Sequence, residues 1–457
     1  MGTNYVVAGF KAMADYTDKF IKSEYFDDHF TREDVSNFFF KNCNNFLHGF
    51  GQNFKNKKRF DKHKKFEAKT LSKFRSYKFF DKSYFWVDSS GFQISIGILS
   101  KEEAEILNYL YYEFLCEEVD KYDKAFILDI PPGPGCQIFD NFKSVYDWNY
   151  RSYKKASLLS EEVRNKIVYV HHFRTPKLWE IYLDLLRSND FYKSFTKFAT
   201  GGIVANMRSD MIIPCIIYVL PLIPLLNETI KNGRKKIEFH ILGGANFRDI
   251  LFYELFRIHV KKIHDIDLII TFDSSGLFKG LMMSRFLWIE YEGVMRKVDI
   301  RTNNIDMRFE DNIKVIDIFR YGINKMAREN NFKEIKIDNI YDDTTGTFSI
   351  ENRIYSLLYM LYMYSEVQNN MRDFSEKVYE FYDKGEIDIF NLNVEEMTKN
   401  LNSGKITKKQ RSKSYSVSNS LDMLTSLDEE YCKYIIDKCL SKDEFTNLDN
   451  NYDILEI

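Results

Sequence analysis

The sequence predicts a parallel α/β fold, and specifically a (β/α)8 barrel, from three observations. Short runs of strand length are apolar throughout: Y-F-W-V-D (84–88), A-F-I-L-D (125–129), I-V-Y-V-H-H (167–172), F-H-I-L-G-G (239–244) and L-I-I-T-F-D (268–273). Unbroken apolar character, without alternation, is what a strand buried on both faces requires. Helix-like segments such as 101–119 and 176–187 separate the runs, and each run ends on polar residues or glycine. In a (β/α)8 barrel the C-terminal strand ends form the rim that carries the chemistry. Asp88, Asp129, His171, His172 and Asp273 are therefore expected at one mouth.

The flanking segments divide as follows. Residues 1–80 read as a basic, aromatic N-terminal extension and 81–390 as the barrel with appended helices. Residues 391–420 read as a polar basic linker and 421–457 as an acidic helical tail. Within 349–384 the apolar residues Ile354, Leu357, Leu358, Leu361, Val367, Met371, Phe374 and Val378 recur at helical spacing. The net charge is −2, but it is unevenly spread: residues 55–82 hold twelve Lys/Arg against three acids, and 421–457 hold ten acids against three Lys. A basic run with interleaved aromatics (Lys55, Lys57, Lys58, Arg59, Lys62, Lys64, Lys65) just before the first acid-tipped strand points to nucleic-acid contact.

Composition excludes other classes. Hydrophobic residues are 44% and charged residues 29%, an ordinary globular mixture. Six cysteines at 43, 116, 136, 215, 432 and 439 make no C-x-x-C pair, which argues against a zinc knuckle or a disulfide scaffold. The longest apolar run, 211–226, is broken by Pro214, Pro221 and Pro224 and is short for a membrane span. With no basic-then-apolar leader, the expectation is a cytoplasmic protein with no membrane partner.

Three acids at three strand ends can divide the work of nucleophile, proton carrier and substrate holder. Asp273 precedes Ser274-Ser275-Gly276, and Asp88 precedes Ser89-Ser90-Gly91-Phe92. An aromatic face beside paired carboxylates suits a planar nucleobase. The loop P-P-G-P-G (131–135) lacks the N–H donors of a phosphate cradle, and reads as a stiff wall above Asp129.

These residues resemble a family. D-S-S-G-F-Q-I (88–94) is similar to the D-S-G-G-F-Q signature of the guanine transglycosylases, the queuine-type base-exchange enzymes. A-F-I-L-D, G-G-I-V (201–204), H-I-L-G-G (240–244), T-F-D-S (271–274) and 298–312 follow in the family's order. The resemblance covers about 84–380 and implies a mechanism. Asp273 would be the nucleophile at C1′ of a nucleotide, and Asp88 would move protons. Asp129 would accept from guanine N1 and N2, with Ser89 and Phe92 lining the base site. The Gly201-Gly202 turn would meet O6 through the Gly202 amide, and Gly243 would let the ring lie against backbone.

Departures from the family pattern carry further expectations. Ser90 stands where the family has glycine, so the turn after Asp88 is expected to differ in shape. His171 and His172 stand where many members have glutamine, and adjacent residues on a strand face opposite ways. The family's base-recognition glutamate falls near Met207, which favours a neutral 7-deazaguanine, the nitrile preQ0 or an amide, over a cationic one. The family's zinc cysteines fall at Arg320, Gly322 and Lys325, and no histidine occurs in 364–370. No metal and no other cofactor is expected. These departures look like the DNA 7-deazaguanine branch, known from phages and bacterial modification systems. The expected activity is a pentosyltransferase that replaces guanine in DNA by a 7-deazaguanine base. The alternatives are a tRNA-guanine enzyme without zinc, or a non-catalytic nucleic-acid-binding barrel; a homo-oligomer or a helper protein is a further possible partner.

Overall fold

A computed structural model describes residues 4–8, 31–51, 54, 60–77, 80, 82–132, 138–139, 141–172, 176–201, 219–243, 247–273, 286–291, 294–299, 315–334, 341–342, 347–348 and 350–383. Eight parallel strands close a barrel in chain order: β1 (Asn4–Ala8), β2 (Asn45–Gly49), β3 (Tyr84–Asp88), β4 (Lys124–Phe126), β5 (Ile167–His172), β6 (Lys197–Gly201), β7 (Lys236–Ile241) and β8 (Asp267–Asp273). Closure is made by β8 on β1, with Asn4 opposite Thr271 and Val6 opposite Asp273. The predicted (β/α)8 fold is present, and all five predicted apolar runs contribute strands.

The boundary at residue 81 needs correction, because β1 and β2 lie inside the segment read as an extension. N-Y-V-V-A and N-F-L-H-G are short, yet Val6, Val7 and Phe46 are fully buried like residues of any other barrel strand. Lysines masked the helix that follows β2. That helix, α2 (His63–Arg75), starts in the basic run but buries His63, Glu67, Ala68, Leu71 and Phe74 along one stripe. The linker 391–420 and the tail 421–457 lie outside the described residues.

Further helices join the strands: α1 (Arg32–Asn42) before β2, α3 (Lys101–Glu117) before β4, α4 (Phe142–Ser157) before β5, α5 (Pro176–Ser188) before β6, α6 (Leu222–Lys231) before β7 and α7 (Phe247–His264) before β8. Their starts are encoded locally. Ser100 Oγ accepts from the Glu103 amide while the Glu103 carboxylate accepts from the Ser100 amide, a capping box worth about 1 kcal/mol. Asn141 caps α4 in the same way through the Ser144 amide, at 2.9 Å.

After β8 come a hairpin of β9 (Phe286–Tyr291) and β10 (Val294–Asp299), then α8 (Val315–Glu329) and the 34-residue α9 (Ile350–Asp383). Tyr364 of α9 packs on Tyr5 at 4.4 Å and on Phe272 at 6.4 Å between ring centroids, so α9 covers the β8–β1 seam as the eighth barrel helix. No helix among the described residues is long and apolar enough to cross a membrane.

The barrel interior is layered. At the N-terminal end Lys124 pairs with Glu238 at 2.6 Å and lies over the Trp86 ring. Above them the rings of Trp86, Phe126 and His240 converge from β3, β4 and β7, with centroids 5.0–5.8 Å apart. Two residues further along β3 and β8, at positions of the same parity, stand the mouth carboxylates Asp88 and Asp273.

Arg320, Gly322 and Lys325, where zinc ligands would fall by resemblance, lie within α8. Gly322 is there for packing: a Cβ on it would fall 2.5 Å from the Tyr359 hydroxyl oxygen and 2.7 Å from its ring carbon. Tyr359 is buried and meets Phe319 edge-on at 5.3 Å. Helix contact through an aromatic ring occupies this region, and its side chains do not fit a zinc ion. For Gly322→Ala, overpacking of roughly 1–3 kcal/mol outweighs a helix-propensity gain of about 1 kcal/mol. A lowered urea midpoint is expected; an unchanged or raised midpoint would show that Tyr359 can move aside.

Candidate active site

Asp88 ends β3 and is tied down by the turn behind it. The Ser90 amide donates to Asp88 Oδ1 at 3.3 Å, the Phe50 amide donates to the Asp88 carbonyl at 2.9 Å, and Ser90 Oγ accepts from the Gly51 amide at 2.9 Å. Ser90 has φ 68° and ψ 26°, the left-handed region that glycine enters freely. The backbone keeps a glycine-like conformation, at a cost of about 1–2 kcal/mol, and the hydroxyl uses it to hold the loop after β2.

Burial raises the Asp88 carboxyl to about 6. The Ser90 amide opposes the shift, Asp129 and Asp273 add to it by repulsion, and His48 opposes it again. Asp129 and Asp273 thus lie near enough to Asp88 to repel its charge, which brings the three strand-end acids to one mouth.

Gly91 is fixed by close approach of two rims. A Cβ there would lie 1.6 Å from the Asp129 carbonyl oxygen, so no other residue fits while β3 and β4 keep this spacing. Beyond it, Phe92 on the short helix Gly91–Ser95 is 62% exposed, an aromatic ring open to solvent; Ser89 is buried.

Asp129 is buried just past β4, and His172 Nε2 lies 2.7 Å from its Oδ2, though the contact is not aligned as a hydrogen bond. The next residue is clamped by Asn149 of α4: the Ile130 amide donates to Asn149 Oδ1 at 2.7 Å and Asn149 Nδ2 donates to the Ile130 carbonyl at 2.9 Å. Asn149 escaped the sequence reading. Its only signal was a buried-stripe position in α4 occupied by an amide.

The histidine pair separates as strand geometry requires. His172 shares its parity with Val170 and turns to Asp129, whereas His171 packs edge-on to Trp179 of α5 at 5.8 Å. Burial, reinforced by His172, pushes His171 down to about 3, so it is a neutral ring packed against α5. Gly201 pairs with His172 across β5–β6, and a Cβ on it would press on Leu242 and Val170 at 3.3–3.4 Å. Gly202 lies outside the described residues.

Asp273 ends β8 and receives the Gly243 amide on Oδ1 at 2.8 Å. Gly243 has φ 81°, which aims its N–H at the carboxylate. Its amide thus holds an acid, a use that the expected role of making room for a ring did not include. His240 Nε2 is 3.4 Å from the same oxygen, and its Nδ1 is 2.9 Å from Thr271 Oγ1. His240 was quoted only as part of a motif; its inward parity with Thr271 and Asp273 was the missed signal.

The basic run divides as well. Lys62 and Lys65 are exposed at the start of α2. Lys64 instead bonds Glu113 at 2.7 Å and Glu117 at 2.8 Å, tying α2 to α3, and so is not available to a phosphate in this arrangement. Lys55, Lys57, Lys58 and Arg59 lie outside the described residues. No three His, Cys, Asp or Glu among the described residues are gathered to hold a metal ion. No known family profile and no curated protein matches this chain.

Chemically, the mouth offers one carboxyl that exchanges a proton near neutral pH, a second aimed by a backbone donor, and a third beside an imidazole. Gly91→Ala should be strongly destabilising, by about 3 kcal/mol or more, read as a fall in the unfolding midpoint; a normal midpoint would mean that the two rims can part. Asp88 holds its proton more tightly folded (about 6) than unfolded (3.8), so its contribution to stability is present below about pH 4 and is lost as pH rises through about 6. Asp88→Asn should therefore exceed wild type by ~3 kcal/mol at pH 7–8 and converge with it below pH 4. Equal denaturation midpoints across that range would show no raised carboxyl.

Proposed function

We propose that the protein is a base-exchange transglycosylase that replaces guanine in DNA by a neutral 7-deazaguanine. The observation that carries the reading is the pairing of Asp88 and Asp273 at one barrel mouth: a carboxyl held near 6 beside a carboxylate oriented by the Gly243 amide. They come from the two segments, D-S-S-G-F-Q and T-F-D-S, that resemble the transglycosylase signatures.

In the first displacement an oxygen of Asp273 bonds to C1′ as the C1′–N9 bond breaks, and the electron pair leaves on guanine. Protonated Asp88 supplies the proton that neutralises the departing base. In the second, Asp88 takes a proton from the incoming base, whose nitrogen attacks C1′ and returns the electron pair to Asp273. Two inversions retain the anomeric configuration. Asp129 accepts from the N1 and N2 protons of the base with His172 beside it, and Phe92 offers its exposed ring for stacking.

Exposed Lys62 and Lys65 support a nucleic-acid partner, because the βα loop before α2 belongs to the rim on which a barrel builds its site. DNA is favoured over tRNA by the helix packing at Gly322, which takes the place of the tRNA enzymes' zinc ligands. A duplex base must be flipped outward to enter the mouth, and a basic rim can hold the distorted backbone while it does.

The test is incubation with labelled guanine or the cyano-deazaguanine and either duplex DNA or tRNA, followed by digestion to nucleosides and mass identification. Incorporation into DNA is expected. Incorporation into tRNA alone would reverse the polymer assignment, and none into either would favour a non-catalytic barrel. Asp273→Ala should abolish exchange and the covalent protein–nucleic-acid adduct. Asp88→Asn should lose roughly a hundredfold or more in rate; exchange at the wild-type rate by either variant would sink its assigned role.

A further inference from the structure

Among the groups that the proposed chemistry leaves unused, His240 stands nearest to Asp273. Its ring is buried in the barrel between Trp86 at 5.2 Å and Phe126 at 5.0 Å, and burial holds the imidazole below its ordinary range against the pull of Asp273. A neutral imidazole has one N–H and one lone pair. The Asp273 carboxylate faces Nε2 at 3.4 Å, and a lone pair there would meet negative charge. The Thr271 hydroxyl, 2.9 Å from Nδ1, can donate to a lone pair at that nitrogen. The carboxylate therefore selects the tautomer with the proton on Nε2, and the Thr271 hydroxyl accommodates it by donating to Nδ1.

We infer that His240 is a positioning residue that fixes which oxygen of Asp273 reacts and hastens release of the covalent intermediate. This rests on Asp273 being the nucleophile. The Gly243 amide and His240 Nε2–H both address Oδ1, so Oδ2 is the oxygen left to bond C1′. In the ester, Oδ1 is the carbonyl oxygen, held by the Gly243 amide and within reach of His240 Nε2–H. When the second base attacks, the C1′–Oδ2 bond breaks, its electron pair returns to the carboxylate, and negative charge grows on Oδ1. Donors aimed at that oxygen stabilise the leaving carboxylate. The 3.4 Å separation is long for a hydrogen bond at rest, and shortening as charge develops is the usual behaviour of such contacts. Removing the donor should thus slow the second displacement more than the first.

The test compares His240→Leu, which has no donor, with His240→Gln, which keeps an N–H near Nε2. Labelled-guanine exchange into duplex DNA and tRNA is followed together with the fraction of protein trapped as covalent adduct on a denaturing gel. For His240→Leu, release of the adduct should slow roughly tenfold to a hundredfold, as expected for loss of a hydrogen bond to a charged group, and the trapped fraction should rise. His240→Gln should restore most of the wild-type partition. Equal impairment of both variants, with no rise in adduct, would reduce His240 to a packing residue and overturn the inference. A second measurement needs no turnover: 15N-histidine NMR at neutral pH should show His240 protonated at Nε2 only, with the assignment disturbed by Thr271→Val. An Nδ1–H tautomer would also overturn it. If wild-type protein exchanges no base and forms no adduct while the Nε2–H tautomer is found, the transglycosylase reading fails and the release role falls with it.

Discussion

Removal of a carboxyl from water at the closed barrel mouth is the constraint on which this site depends. Asp88, Asp129 and Asp273 stand at the ends of separate strands, partly or wholly removed from water, where like charges interact more strongly than at a surface. Each is met differently. Asp88 retains its proton to about pH 6, Asp129 has an imidazole at 2.7 Å, and Asp273 receives a backbone N–H. Three residues of one type thereby acquire three different capacities, and the difference comes from their surroundings.

Those surroundings are built from outside the barrel as much as from within it. The outer helices send polar side chains to the carbonyls at and past the end of β4: Tyr111 to Phe126, Ser152 to Leu128 and Asn149 to Ile130. A carbonyl beyond the last ladder bond would otherwise be buried without a donor. These bonds allow the short β4 to end while the chain still runs straight to Asp129. The rim is stitched across strands as well, through Ser90 to Gly51 and through the contact of Gly91 with the Asp129 carbonyl.

Much of this was legible in the sequence, where physics writes a strong local signal. Five apolar runs tipped by polar residues located five strands and their acids, and the doubled histidine correctly implied opposite faces. β1, β2 and β6 were missed because five-residue strands such as N-Y-V-V-A and K-F-A-T-G have too little apolar length to stand out. α2 was hidden because four lysines and Arg75 are interleaved with the five residues it buries, two of them polar. Nothing local distinguishes Asn149 or His240 from ordinary buried-face residues; their importance lies in which neighbouring strand they face, and that is a property of closure. Ser90 was visible as a departure, but its left-handed backbone could be known only from the fold.

The seam between β1 and β8 has a consequence for how the protein is made. Val6 is paired with Asp273, so β1 can meet β2 early but its other edge waits for β8, more than 250 residues away in sequence. Until then β1 and β7 are open edges, the kind of exposed backbone that invites pairing with another chain. Contacts so distant in sequence are also slow to close. The mouth is completed late, because the Gly243 amide has no Asp273 to hold until β8 has formed beside β7. A growing chain of this protein is thus most prone to misassociation before β8 arrives, and Asp273 joins the mouth on the same strand that seals the fold.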